Sequence, residues 1–232
     1  MIIVGRIFFV NGLIGGGSPP AGKPYWNAGY STGSPFVNRA KGIFSSRPGG
    51  VYHEPSTFYT TYAFDPAHNH LDCGYRRQLG YRNADTYQSA LTQSLDRRHH
   101  SLVFVTHSMG GSYSEGMMQK LKESGWAVYA AVHLNPFQPA AIVPSTPRTQ
   151  TIHYQNPDDP VTCELGSDNW VIRALRFGGV LTLTENNIKR PGRISGANYI
   201  EHHSGLGISY VHASPEGDVT TWDRIQAGSP DL

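Results

Sequence analysis

Short, unbroken apolar runs rich in β-branched and aromatic residues recur along the chain, and between them the spacing changes to that of an amphipathic helix. The opening MIIVGRIFFV reads as a strand over Ile2 to Val10. LVFV (Leu102 to Val105), AVYAAVHL (Ala127 to Leu134) and QTIHY (Gln150 to Tyr154) read as further buried strands, and Thr57 to Phe64 as another. Within Arg82 to Leu95, residues Ala84, Tyr87, Ala90, Leu91 and Leu95 fall on one helical face. After Ser108, Met117, Met118 and Leu121 give a second helix its apolar face, with Gly125 as its stop. Strands alternating with helices predict an α/β fold in three layers, a mostly parallel central sheet covered by helices on both faces. In such sheets the sites gather at the carboxyl ends of the strands.

Composition narrows the class. With 232 residues, 38% hydrophobic and 16% charged, the chain can bury one sizeable core, and a single domain over residues 1–232 is expected. The formal charge of +2 arises from 19 basic and 17 acidic residues. No run of like charge exceeds pairs such as Arg76-Arg77 and Arg97-Arg98, which argues against nucleic acid as a partner. No apolar run approaches the roughly 20 residues that span a bilayer. The first residues carry Arg6 and no small-residue cleavage site, so they read as a strand and not as a secretory signal. A core strand beginning almost at Met1 suits a domain of a longer protein or a mature form, and leaves the compartment open. Two cysteines, Cys73 and Cys163, are too few to indicate a redox compartment.

The chemistry centres on VFVTHSMGGSYSEGMM, Val103 to Met118, where one serine stands between a buried strand and a run of small residues opening a helix. T-H-S-M-G-G at Thr106 to Gly111 resembles the nucleophile elbow of the α/β-hydrolase superfamily, with Thr106 where the first glycine of G-x-S-x-G usually stands. Three further segments carry the resemblance. HYQNPDDPV, His153 to Val161, follows a strand and is similar to the turn that holds the triad acid; its D-P-V ending points to Asp159, with Asp158 as the alternate. ANYIEHHSGLG, Ala197 to Gly207, ends a strand-like run in two histidines. His203, at the loop edge, is favoured over His202, because consecutive side chains of an extended segment point to opposite faces. Finally, V-N-G-L-I-G-G at Val10 to Gly16 resembles the H-G-containing oxyanion loop of lipases, with Asn11 in place of the histidine.

The order Ser108, Asp159, His203 matches the hydrolase order of nucleophile, acid and base. The resemblance implies a lipase- or esterase-like serine hydrolase acting on carboxylic esters, soluble or lipid, without a cofactor. The backbone N–H groups of Met109 and Leu13 would form the oxyanion hole. More narrowly, the VNG-L-I-GGGSP opening and the late HSG and Trp222 region resemble lipase-type modules of bacterial secreted or Rhs-type toxin proteins, which implies a domain of a secreted or injected protein. Trp26, Tyr30 and Phe36 are candidates to wall an acyl pocket, and equally candidates for the core.

Two other classes compete. His68, His70 and Asp72 in AHNHLDCG match the first five positions of H-x-H-x-D-H, the ligand motif of metallo-β-lactamase-like hydrolases, with Cys73 where the final histidine would stand. The third class is a binding module that keeps the hydrolase fold without its chemistry, which would normally lack the serine or the histidine.

Overall fold

The computed structural model describes residues 2–12, 21–27, 34–60, 72–157, 159, 192–202, 220–230 and 232. Its strands are β1 (Ile3–Val10), β2 (Ser56–Tyr59), β3 (His100–His107), β4 (Ala127–Leu134), β5 (Thr151–Gln155) and β6 (Asn198–Glu201). They form one six-stranded sheet in the order β2-β1-β3-β4-β5-β6, and every pairing is parallel. The chain leaves β1 for one side to make β2, then returns to the other side to make β3. The crevice where the order reverses therefore lies beyond the carboxyl ends of β1 and β3.

An all-parallel sheet is covered on both faces, and the alternation of side chains along each strand divides two cores. Ile7, Phe9, Val103, Val105, Val132 and Ile152 face one layer, built from α1 (Lys23–Asn27), α2 (Pro35–Phe44) and α5 (Thr221–Gly228). Phe8, Val10, Leu102, Phe104 and Ala131 face the other, built from α3 (Cys73–Leu91) and α4 (Gly110–Glu123). Each of these side chains other than Ala131 is worth roughly 1.5–3 kcal/mol when withdrawn from water. Trp222 of α5 joins the first layer together by donating its indole N–H to the Phe36 carbonyl at 2.9 Å.

The α/β class with helices on both faces is as the hydrophobic pattern predicts, and β4 spans the predicted residues. β3 is longer than LVFV, because Thr106 and His107 remain in the strand with their polar groups satisfied inside. The largest difference is α3, which starts at Cys73 and not Arg82, capped by the Asp72 carboxylate accepting the Tyr75 N–H. Its inward face is made of Arg76, Gly80, Ala84 and Leu91, so little bulky apolar periodicity marks its first half. Of the predicted stripe, Ala84 and Leu91 are buried but Tyr87 and Ala90 are exposed. Tyr87 has non-helical φ and ψ of −109° and 16°, and the register of the buried face changes there. At the crossing of α3 and α4 the backbones touch: a Cβ on Gly80 would lie 1.9 Å from the Tyr113 carbonyl oxygen, and one on Gly116 1.8 Å from that of Arg77. No helix among the described residues is long and apolar enough to cross a membrane.

Candidate functional site

Ser108 is the first residue after β3 and has φ of +53°, a left-handed conformation that costs a non-glycine residue roughly 1–3 kcal/mol. The turn is held on three sides. The Ser108 N–H donates to the Leu134 carbonyl at 3.1 Å, and its own carbonyl accepts from Gly111 N–H at 3.2 Å and Phe137 N–H at 3.1 Å. Helix α4 starts at Gly110, so the positive end of its dipole lies beside the serine. Of the four non-glycine residues with positive φ among the described residues, three (Ser108, Asn135 and Gln138) sit at this end of the sheet, so backbone strain concentrates here.

The end of β1 abuts the same turn. A Cβ on Gly12 would stand 2.6 Å from the Ser108 Cβ and 3.2 Å from its Oγ, and one on Gly110 would meet the Val10 carbonyl oxygen at 2.6 Å. Only glycine at both positions lets strand, turn and helix approach this closely. Asn11, fully buried, holds the loop in place: its Nδ2 donates to the Gly12 carbonyl at 2.9 Å, while its Oδ1 accepts from Thr60 Oγ1 at 3.1 Å and Gly22 N–H at 3.5 Å.

Thr106, the departure from G-x-S-x-G, has a partner. Its Oγ1 lies 2.8 Å from Nδ1 of His133, whose Nε2–H donates to Glu115 Oε1 at 2.9 Å; all three residues are fully buried. Glu115 Oε2 also accepts the Ser145 N–H, and Ser145 Oγ donates to the Glu115 carbonyl at 2.9 Å. Glycine at 106 would leave the imidazole without this partner, so the threonine belongs to a polar network joining β3, β4, α4 and the Ser145 loop. His107 takes the opposite face, where its Nδ1 hydrogen-bonds the Tyr25 hydroxyl. That contact supports the turn from the α1 side.

On the far side, β5 leads into a turn in which Asp159 N–H donates to the Asn156 carbonyl at 3.1 Å. Asp159 is fully buried at the carboxyl end of the sheet. The Asn156 N–H donates to Asn135 Oδ1 at 2.8 Å, and the Asn135 N–H to the Tyr154 carbonyl at 2.9 Å. His202 N–H donates to the Gln155 carbonyl at 3.0 Å, extending the β5–β6 ladder, and its ring lies 6.1 Å from that of Tyr154. Ser108 and Asp159 thus both lie just beyond the carboxyl ends of strands of the parallel sheet, Ser108 after β3 and Asp159 after β5. Leu13, Tyr30, Asp158 and His203 lie outside the described residues.

No family model matches the chain, and no curated protein does.

Trp26 of α1 and Phe36 of α2 stack at 6.0 Å between ring centroids within the first core, Trp26 being fully buried. Asp72 caps α3, while His68 and His70 lie outside the described residues. Among the described residues no three His, Cys, Asp or Glu side chains group as metal ligands. Cys73 is a free thiol donating to the Ala141 carbonyl at 3.4 Å, and burial pushes its pKa up. His153 is buried next to His133 in the sheet register. Desolvation first, and then the charge of His133, push its pKa down to about 3.

Sequence reasoning misses Glu115, places Asn135 at the site end of the sheet without a role, and counts Tyr25 only among the aromatic candidates for a pocket wall. For Glu115 a signal exists, since a carboxylate between Ser112 and Met118 on a helix's apolar side needs a buried partner. Asn135 follows a buried strand and precedes proline, where asparagine tolerates a left-handed turn.

Proposed function

We propose that this chain is a serine hydrolase of the α/β-hydrolase type that cleaves carboxylic esters. The observation that carries the reading is Ser108 itself, a strained serine between β3 and α4 at the switch point of a parallel sheet, pressed against Gly12. A plain connecting turn has no need of a non-glycine residue at φ of +53°. Asp159, fully buried beyond β5, supports the acid assignment, because a buried carboxylate that orients an imidazole is what the triad requires.

In this mechanism Ser108 Oγ forms a bond to the acyl carbon while His203 takes its proton. The charge that grows on the acyl oxygen is held by the N–H groups of Met109 and Leu13. As the tetrahedral intermediate collapses, the bond to the alcohol oxygen breaks and His203 returns the proton to that oxygen. Water then attacks the acyl-enzyme with the same proton path reversed, releasing the acid and restoring Ser108. Asp159 orients His203 and stabilises its cation. Ester over amide, and membership among lipase-type modules of secreted or injected bacterial proteins, rest on the sequence resemblance.

The test is intact mass after incubation with a fluorophosphonate, on the wild type and on Ser108→Ala, with and without a zinc chelator. One phosphonyl adduct on the wild type, absent from Ser108→Ala and indifferent to chelator, is the expected result. No adduct on folded wild type would overturn the assignment. Ester hydrolysis assayed on the same samples and abolished by chelator, with no adduct on the wild type, would transfer the chemistry to His68, His70 and Asp72.

A further inference from the structure

We propose that Asn135 is a positioning residue that fixes the spacing between the nucleophile turn and the acid turn; the role rests on the reading of Ser108 and Asp159 as nucleophile and acid. Asn135 is the first residue beyond β4, the strand that separates β3 from β5 in the sheet, and it is fully buried with φ of +41°. It is tied in both directions, by the chain itself on one side and by hydrogen bonds on the other. Toward the nucleophile, the chain passes through Pro136 to Phe137, whose N–H donates to the Ser108 carbonyl at 3.1 Å. Toward the acid, Asn135 Oδ1 accepts the Asn156 N–H at 2.8 Å, and the Asn156 carbonyl accepts the Asp159 N–H at 3.1 Å. Beside the backbone bond from Asn135 N–H to the Tyr154 carbonyl at 2.9 Å, one side-chain bond, Asn135 Oδ1 to Asn156 N–H, joins the two turns.

The fold explains why a side chain is needed there. The parallel β4–β5 ladder ends at Leu134 opposite Tyr154, and Asn135 turns left-handed away from the strand. Asn156, 1% exposed, lies just past the end of that ladder, and the carboxamide oxygen supplies its amide with the acceptor the strand no longer offers. Losing it would leave a buried N–H to be satisfied by a shift of the Asn156–Asp159 turn. Asparagine meets both demands at once, tolerating positive φ and presenting an acceptor. Glycine would meet only the first.

Displacing the turn would loosen the carboxylate from the imidazole it orients. A well-placed carboxylate raises the proton affinity of the imidazole, so a loosened one lowers it. Reaction at Ser108 requires the neutral imidazole, and the acid limb of its pH profile therefore reports the placement of Asp159 through His203.

The experiment measures the second-order rate of fluorophosphonate labelling of Ser108 across pH, with thermal melting, for the wild type, Asn135→Gly and Asn135→Asp. Asn135→Gly is expected to label about tenfold or more slowly on its plateau, with its acid limb moved to lower pH. Asn135→Asp, which keeps the acceptor, should label within about threefold of wild type. Asn135→Ser, whose oxygen sits one bond nearer the main chain, takes the place of Asn135→Gly if that variant does not fold. A folded Asn135→Gly or Asn135→Ser with the wild-type rate and limb would overturn the role, and so would Asn135→Asp falling as far as Asn135→Gly. Wild type that does not label would instead overturn the hydrolase reading on which the role rests.

Discussion

Gly12 and Ser108 are packed so closely that a Cβ on the glycine would lie 2.6 Å from the Cβ of the serine, a distance at which one of them must move. Gly12→Ala should therefore displace the serine turn without emptying the core. We expect fluorophosphonate labelling to fall by about tenfold or more, with an overpacking cost of roughly 1–3 kcal/mol in urea denaturation. Labelling at the wild-type rate would show that Gly12 does not set the position of Ser108.

Thr106 stands where the G-x-S-x-G pattern that this turn resembles has glycine, and here the pattern and the network conflict. Thr106→Gly should destabilise the protein by roughly 2 kcal/mol, since it removes the partner of the buried His133 Nδ1, leaving Glu115 on Nε2, and adds chain entropy within a strand. Thr106→Ser, which keeps the hydroxyl, should recover most of that loss. A Thr106→Gly protein as stable as wild type would mean that the Glu115–His133 pair holds without the threonine.

The contact of α3 with α4 predicts a sharper effect. Gly116→Ala would drive a methyl group to within 1.8 Å of the Arg77 carbonyl oxygen, in backbone that cannot swing aside like a side chain. The intrinsic gain of roughly 1 kcal/mol for alanine over glycine within a helix should be overwhelmed. Denaturant midpoints should fall for Gly116→Ala, whereas Gly42→Ala in α2, where the added Cβ meets nothing within 4 Å, should leave the midpoint unchanged or raise it. Equal behaviour of the two variants would contradict the close crossing.

Acid should destabilise the protein partly through His153. Burial and the neighbouring His133 hold its pKa near 3 in the folded chain, so between that value and the unfolded pKa of about 6.5 the unfolded chain binds the extra proton. Its contribution is complete above about pH 6.5 and is lost as pH falls toward 3. His153→Gln, which retains an acceptor for the Ile194 N–H, should flatten the fall of the urea midpoint over that window. Parallel curves for variant and wild type would exclude His153 as a source of acid sensitivity.

How far the fold could be read in advance depended on what each element buries. AVYAAVHL begins and ends on apolar residues that carry the run past His133, and β4 matches it to the residue. β3 also takes in His100, Ser101, Thr106 and His107, because hydropathy marks a polar side chain as an end even when it is satisfied inside. Helix α2 carries a helical stripe at Phe36, Val37, Ala40 and Phe44, but ten residues amid glycine and proline gave too short a signal. The serine turn was legible because strand, serine and small residues are contiguous. The Asn135–Asn156 bond was not, since one contact between residues 21 apart imposes no period on the chain.

The position of β1 in the sheet governs the order in which the protein can be completed. Ile3–Val10 is made before both β2 and β3 yet lies between them in the sheet, and its pairing with β3 runs from Ile3–His100 to Val10–Thr106. Such distant pairings close slowly, and the unpaired IVGRIFFV is the kind of segment that associates with copies of itself. Arg6 interrupts that run with a charge before its permanent contacts, Ser56 Oγ at 3.0 Å and the Gln93 carbonyl at 3.0 Å, exist to receive it. A nascent chain halted ahead of β3 would hold its most apolar strand without the neighbour that finally covers one of its edges.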